Sequence, residues 1–358
     1  MTQWLAIKAG QQAYLHIQEN NGLQHEDINL ILGASGGPKW FVLQGLDNYL
    51  FGEFFKSRKT PLQLLGTSAG AWRFASLGRA DAAAASALFC KLYREQTYSA
   101  KPSVQEITEN ARELLEIYVT DEAIDEMLTQ SVFQHHIIVA RCRGWAALES
   151  PRRQALGLAR AAAGNLLNRG SLKSAFERVI FHHPVAGDVL GKHWDDLPTR
   201  RVPLSRENFR QVLLATGSIP LVLEGVANIP GAPAGVYRDG GITDYHFDVD
   251  LSQQSGLVLY PHFHNQVIPG WFDKKLRWRR TNGAHWPNVI FMHPTQAFLD
   301  ALPYGKIPDR HDFAKLDVDS RQKYWRQAVE LGYRMADQFA EWQATGKLAQ
   351  QVTLWGDK

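Results

Sequence analysis

Residues 64–72 read LLGTSAGAW and carry the spacing G-x-S-x-G at Gly66, Ser68 and Gly70. Strand-like apolar residues precede the motif, and residues that favour a helix follow it. In this strand–turn–helix context a serine is lifted from the end of a strand with its hydroxyl exposed. The helix that follows would point the Ala69 amide at a developing oxyanion. The stretch predicts a nucleophilic Ser68 supported by the two glycines, while a glycine-rich turn that serves packing alone is the alternative.

A second glycine loop lies at residues 31–46, ILGASGGPKWFVLQGL, and also runs from a strand-like segment into a helix-like one. Backbone amides in such a loop can approach a ligand closely, and an oxyanion hole needs at least two donors. Pro38 has no N–H, so the candidate donors are Gly36, Gly37 and Lys39. A phosphate-binding loop is the alternative, although neither common nucleotide-binding spacing is present.

Residues 236–244, VYRDGGITD, contain the best candidate for a general base that could act on the serine. Asp239 ends a short strand-like run, and Gly240 and Gly241 permit a sharp turn after it. A carboxylate can act as base when it lies within hydrogen-bond reach of the serine oxygen and burial raises its pKa. An ordinary Asp-Gly turn is the competing interpretation.

Taken together, these motifs resemble the patatin-like phospholipase family. That family carries a G-G-x-[RK]-G oxyanion loop, a G-x-S-x-G elbow, a short segment ending in proline and a late D-G-[GA] triplet, in this order. The corresponding stretches here are 36–40, 66–70, 215–220 and 239–241. The match spans roughly residues 28 to 245.

The resemblance implies a Ser68–Asp239 dyad without a catalytic histidine, a three-layer α/β/α fold, and hydrolysis of acyl esters, commonly of lipids. The chain departs from the family pattern at Trp40, where glycine is usual, and at Ala34-Ser35, where a longer glycine run is usual. We expect an indole at position 40 to narrow or cap the mouth of the site.

Two other functions compete with this one. An α/β-hydrolase triad would combine Ser68 and Asp239 with His262, His264 or His293, since the chain order Ser, Asp, His is met. A protein that keeps the fold but binds a lipid or partner without turnover is the third possibility.

Composition and periodicity predict one α/β domain over the 358 residues. Hydrophobic residues make up 45% and charged residues 21%, as in ordinary globular proteins. Short apolar runs alternate with helical stretches, which is typical of a mostly parallel sheet covered by helices. We expect helical insertions at about 79–131 and 150–177. The predicted strands are Ile28–Leu32, Leu62–Leu65, His136–Arg141, Val179–Phe181, Gly235–Arg238, Leu257–Tyr260 and Val289–Met292.

Charge and cysteine usage argue against several classes of function. A net charge of +3 with no arginine-rich tail does not indicate a nucleic-acid partner. Cys90 and Cys142 form no C-x-x-C pair, so we expect neither disulfides nor a zinc site. The adjacent histidines at 135–136 and 182–183 would point apart in a strand, so we expect no metal site. The proposed chemistry also uses no cofactor, and we expect none.

The amino terminus predicts a helix and a cytoplasmic protein. It lacks the pattern of a secretory signal, and no apolar run reaches the length needed to cross a bilayer. Trp4, Leu5, Ala9, Tyr14 and Ile17 are spaced like one face of a helix. Residues 271–280, WFDKKLRWRR, either contact a membrane surface transiently or form a surface loop in which arginines stack on aromatic rings and bind nearby carboxylates.

Overall fold

In the computed structural model, residues 2–186, 189, 194 and 196–356 are described. Over these residues eleven strands form one mixed sheet flanked by helices. The strands are β1 (Leu5–Ala9), β2 (Ile28–Gly33), β3 (Leu62–Thr67), β4 (Phe133–Cys142), β5 (Phe176–His182), β6 (Thr199–Pro203), β7 (Val226–Ala227), β8 (Val236–Asp239), β9 (Leu257–Pro261), β10 (Val289–Pro294) and β11 (Val352–Leu354). The α-helices are α1 (Gln11–Asn20), α2 (Gln44–Tyr49), α3 (Ala69–Leu77), α4 (Ala82–Glu95), α5 (Val104–Tyr118), α6 (Asp121–Thr129), α7 (Pro151–Leu167), α8 (Phe209–Gly217), α9 (Gln296–Ala301), α10 (Asp312–Lys315), α11 (Val318–Ala344) and α12 (Leu348–Gln351).

The main path of the sheet has the order β11-β1-β10-β9-β2-β3-β4-β5-β6. Six of the ten strand pairs among the described residues are parallel. The central strands read as continuous apolar runs because helices cover them, and every residue of β9 and β10 is buried. The predicted α/β fold with a mostly parallel sheet is therefore confirmed.

Two strands, β3 and β8, pair with successive parts of the same edge of β4, and this arrangement brings their ends together. β3 runs parallel to β4 and its last pair joins Thr67 to Ile138. β8 runs antiparallel to β4 and its last residue, Asp239, pairs with Val139. Since Ile138 and Val139 are consecutive, the end of β8 meets the end of β3, directly beside Ser68.

The amino-terminal segment differs from the prediction, because Leu5–Ala9 is a strand and the helix begins only at Gln11. Leu5, Ile7 and Ala9 are buried with a period of two, and β1 is paired on both sides, by β10 and β11. In so short a segment, the same apolar residues fit either the two-residue period of a strand or one face of a helix. Pairing with β10 and β11 therefore determined that residues 5–9 form a strand.

Helices occupy most of the two predicted insertions. Three helices, α4, α5 and α6, lie within 79–131, and α7 with the 3₁₀ helix Arg169–Ser174 lies within 150–177, whose last two residues already belong to β5. None of the described helices combines the length and apolarity that a bilayer crossing requires.

Candidate active site

The turn between β3 and α3 holds Ser68 in an unusual backbone conformation. Its φ of 52° and ψ of −125° lie outside the regions that non-glycine residues normally adopt. The Ser68 amide donates to Thr216 Oγ1 (2.9 Å), and the Thr216 hydroxyl donates to the carbonyl of Ile138 (2.5 Å). A Cβ on Gly70 would lie 1.9 Å from the carbonyl oxygen of Gly33, so only glycine lets α3 begin this close to β2. These contacts hold the serine at the elbow.

Ser68 and Asp239 form a hydrogen-bonded pair. Ser68 Oγ donates to Asp239 Oδ2 over 3.0 Å, and the Gly241 amide donates to Oδ1 over 2.7 Å. Both side chains are buried, with Asp239 5% and Ser68 6% exposed. The two carboxylate oxygens therefore have separate tasks: one is fixed by the turn, and the other faces the serine hydroxyl.

Burial raises the pKa of Asp239 to about 6, although hydrogen bonds from the Gly241 amide and the Ser68 hydroxyl, and the charges of Lys274 and Arg310, act to lower it. A carboxylic acid with this pKa is mostly ionised at neutral pH yet is a stronger base than an exposed aspartate. These are the properties that a general base near the operating pH needs.

Two helix starts converge on the serine. Gly37, with φ of +55°, begins a 3₁₀ helix over Gly37–Leu43, and Ala69 begins α3. The first amides of a helix have no carbonyl partner within it, so the Gly37 and Ala69 N–H groups can bind an oxyanion beside Ser68. The Lys39 amide instead donates to the Gly36 carbonyl across the turn, over 3.5 Å, and Gly36 N–H remains as a further candidate donor.

Trp40 does not narrow or cap the mouth of the site, so that expectation was wrong. Its side chain is 1% exposed, and its ring stacks on Phe89 of α4 (4.7 Å between centroids, 9° between planes) and on Phe41 (4.9 Å). The 3₁₀ helix that follows Pro38 turns the indole away from the loop and into the core.

Two connected cavities open at the serine, and Gly37, Ser68, Tyr93, Ile219 and Arg310 contribute to both. One cavity, of about 360 Å³, also contains Asp239 and is lined by several polar side chains; we call it the polar branch. The other, of about 220 Å³, lies beneath α5 and is mainly apolar; we call it the apolar branch. The apolar branch is further lined by Trp72, Tyr98, Pro102, Ile107, Ala111, Val222, Leu223 and Phe313.

The hydrogen bonds of the three histidines in the triad alternative go to other groups than the dyad. His262 Nδ1 bonds to the backbone of His264, and His293 Nδ1 bonds to the carbonyl of Pro294. His264 lines the polar branch, but within the described residues no histidine hydrogen-bonds to Ser68 or Asp239.

Sequence reasoning did not single out several residues that the fold brings to the site. Tyr93 lies between the two branches, and Thr216 holds the Ser68 amide. Lys274 and Arg310 line the polar branch from loops far away in the chain. The proline-ended segment at 215–220 pointed near Thr216, and the basic aromatic stretch 271–280 contains Lys274, but neither pattern assigned these residues to the site. Tyr93 and Arg310 carry no motif.

Residues 271–280 are divided between the site and the surface. Arg279 binds the carboxylate of Asp273 (3.2 Å), Lys274 Nζ lies 4.0 Å from the Tyr245 ring centroid, and Trp278 is 70% exposed.

Among the described residues no group of three or more His, Cys, Asp or Glu side chains could hold a metal ion.

Comparison with known proteins adds little to this geometry. No protein-family model matches the chain, and no curated protein matches it. Among solved structures, the chain is similar to VipD from Legionella pneumophila, with 12% sequence identity, a TM-score of 0.36, and coverage of 92% of this chain and 71% of that one. This likeness is too distant to carry an argument.

Proposed function

We propose that the protein is a serine acyl-ester hydrolase of the patatin-like type, a lipid acyl hydrolase that works through a Ser68–Asp239 dyad. The observation that carries the proposal is the 3.0 Å hydrogen bond between Ser68 Oγ and a buried Asp239 carboxylate, at the junction of an apolar and a polar cavity. A nucleophile within reach of its base, beside free backbone donors, is the arrangement that acyl transfer requires.

In the first half of the reaction Asp239 takes the Ser68 proton while Oγ bonds to the ester carbonyl carbon. The carbonyl oxygen becomes an oxyanion, which the amides of Gly36, Gly37 and Ala69 can bind. The carbon–oxygen bond to the alcohol then breaks, and Asp239 returns the proton to the departing alkoxide. An acyl-enzyme on Ser68 and a free alcohol are the products of this half.

In the second half Asp239 takes a proton from water, whose oxygen attacks the acyl carbon. The bond from Ser68 Oγ to that carbon breaks, and the proton returns to Oγ. A carboxylic acid is released and the free enzyme is restored. One carboxylate thus acts as both base and acid, which suits a pKa of about 6 better than that of an exposed aspartate.

The proposal is tested by hydrolysis of p-nitrophenyl esters of increasing acyl length by the wild type, Ser68→Ala and Asp239→Asn, with folding checked by circular dichroism. We expect Ser68→Ala to be inactive and Asp239→Asn to lose about a hundred- to ten-thousandfold in kcat. The matched control is Ser76→Ala, a buried serine on the same helix whose hydroxyl bonds to the Arg73 carbonyl and lies away from both cavities.

A serine-directed fluorophosphonate separates hydrolysis from binding without turnover. We expect the wild type and Ser76→Ala to be labelled and Ser68→Ala to remain unlabelled. Ester hydrolysis by a folded Ser68→Ala protein would refute the dyad, and a folded wild type that neither labels nor hydrolyses any ester would favour a lipid-binding protein without activity.

A further inference from the structure

Three cationic side chains converge on the polar branch from different parts of the fold. Lys39 belongs to the 3₁₀ helix after the glycine loop, Lys274 follows the short helix Trp271–Asp273, and Arg310 precedes α10. No single sequence motif contains them, so their proximity is a product of the tertiary structure.

These three cations form no close ion pairs among the described residues, although Asp309 acts on Lys39 and Asp239 on Lys274. Across the described part of the chain, none of the three has a carboxylate oxygen within 4.0 Å, whereas neighbouring Lys306 binds both Asp309 (3.0 Å) and Asp312 (2.5 Å). Two carboxylates also line the polar branch. Asp309 is ion-paired with Lys306, while Asp239 accepts hydrogen bonds only from the neutral Ser68 hydroxyl and Gly241 amide and keeps its charge. Three cations thus face two carboxylates, one of which is already paired with a fourth cation. The branch therefore holds excess positive charge.

Electrostatic repulsion among the cations supports this account. Burial, followed by the charges of Arg310 and Lys39, lowers the pKa of Lys274 to about 7, although the charge of Asp239 opposes the shift. The pKa of Lys39 is also lowered, by burial and by Arg310, although Asp309 opposes the shift. Protein atoms surround the Lys274 ammonium closely enough to desolvate it, yet part of the Lys274 and Arg310 residues remains exposed to solvent, where an incoming ligand can reach them. An anion bound between the three would relieve the repulsion.

The apolar branch has a size that limits the acyl chain. An apolar protein cavity of about 150 Å³ accommodates benzene, so a volume of 220 Å³ corresponds to roughly eight or nine carbon atoms. Apolar side chains such as Ile107, Val222 and Phe313 form its walls. A medium-length acyl chain fits within the branch, whereas a long one would extend beyond it.

On the basis of the proposed function, we propose that the substrate is an ester between a medium-chain acid and an alcohol that carries an anionic group, phosphate or carboxylate. The acyl chain occupies the apolar branch, the ester carbonyl lies at Ser68, and the anionic group binds Lys39, Lys274 and Arg310 in the polar branch. Hydrolysis then releases the medium-chain carboxylic acid and the anionic alcohol, with water supplying the oxygen of the acid and the proton of the alcohol.

Binding is measured first, because it does not require turnover. Titration calorimetry at pH 7 with the Ser68→Ala protein compares 1-octanoyl glycerol with 1-octanoyl glycerol 3-phosphate and with the octanoyl ester of glycerate. We expect at least one anionic ester to bind about tenfold or more tightly than the neutral ester, since charge-assisted hydrogen bonds are the strong ones. Tighter binding of the phosphate ester than of the carboxylate ester would identify phosphate as the recognised group, and equal binding would indicate recognition of charge alone.

Substitutions then assign the preference to the cations. In the Ser68→Ala background, Lys274→Gln and Arg310→Gln should each reduce the ratio of anionic to neutral affinity severalfold. Lys275→Gln, an exposed neighbour outside the polar branch, is the matched control and should leave the ratio unchanged. Raising the salt concentration should also reduce the ratio.

Equal affinity for all three esters would overturn the inference, as would a preference that survives both substitutions. Hydrolysis by the wild type is a separate readout. A wild type that hydrolyses neutral and anionic esters at the same kcat/KM keeps the proposed function and overturns the inference. Anion-selective binding without any hydrolysis refutes the proposed function, and with it the assignment of a substrate, and leaves only the anion-binding site.

Discussion

Replacing Asp239 with asparagine should change the pH dependence of stability as well as abolish most activity. The carboxyl has an ordinary pKa of 3.8 and a folded pKa of about 6, because burial penalises its charged form. The unfolded chain therefore releases this proton at lower pH than the folded protein does. As pH rises from about 4 to about 6, the group reduces the free energy of unfolding, and above that range the whole penalty is present.

The magnitude follows from the shift of about two pKa units, which corresponds to about 3 kcal/mol. Asparagine does not titrate, but its carbonyl oxygen can still accept the Gly241 amide and its NH₂ group can donate to Ser68 Oγ. At pH 4 the unfolded carboxyl is already partly ionised, so about 0.5 kcal/mol of this penalty is present there. The free-energy difference between Asp239→Asn and the wild type should therefore shift by about 2.5 kcal/mol in favour of the variant between pH 4 and pH 7.5.

Urea unfolding followed by circular dichroism at both pH values measures this difference, and other titrating groups cancel because both proteins share them. Asp337→Asn, an exposed carboxylate on α11, is the control and should differ from the wild type equally at both pH values. An Asp239→Asn difference that does not change with pH would refute the account of a buried, penalised base. So would a wild-type kcat/KM that stays constant down to pH 4, because activity should fall about tenfold for each pH unit below 6.

Three further substitutions test the site and its support. Ile107→Trp should fill part of the apolar branch and shift the preferred p-nitrophenyl ester to a shorter chain, whereas Ile117→Trp, exposed on the same helix, should not. Thr216→Val should remove the acceptor for the Ser68 amide, costing about 1–2 kcal/mol in urea unfolding and about tenfold in kcat, with both recovered in Thr216→Ser. Gly70→Ala should prevent folding, as judged by soluble yield and circular dichroism, because the new Cβ would overlap a β2 carbonyl; Gly52→Ala, with nothing within 4 Å, should fold normally.

Local sequence patterns were sufficient for the parts of the fold that local chemistry decides. The central strands β2, β3, β9 and β10 were predicted because continuous apolar runs between turns are characteristic of covered parallel strands. β1 was not predicted, because its five residues fit both the helical and the strand period, and pairing with the distant strands β10 and β11 determined which one formed. The short strands β7 and β11 carry too few residues for any periodicity.

The same limit applies to the site. Glycine spacing marked Ser68 and Asp239 because those turns need glycine locally, and the structure brings the two side chains together, although their catalytic role stays a prediction. The direction of Trp40 depends on α4, some 40 residues later, whose Phe89 stacks on it. Lys274 reaches the polar branch through loop packing that no spacing rule describes.

The charge of the polar branch should couple substrate binding to the strength of the base. Lys274 and Arg310 lower the pKa of Asp239, while burial raises it. An anion bound to these cations would offset their field at the carboxylate. The pKa of Asp239 should then be higher in the enzyme–substrate complex than in the free enzyme, because burial would act with less opposition.

Steady-state kinetics can detect this coupling, since the acid limb of kcat reports the complex and that of kcat/KM reports the free enzyme. With 1-octanoyl glycerol 3-phosphate the acid limb of kcat should lie above that of kcat/KM, and with neutral 1-octanoyl glycerol the two limbs should be closer. Arg310→Gln should reduce the separation for the phosphate ester, because it removes one of the charges that the ligand offsets. Equal separation for the two esters in the wild type would show that a bound anion does not offset the field of Lys274 and Arg310 at the Asp239 carboxylate.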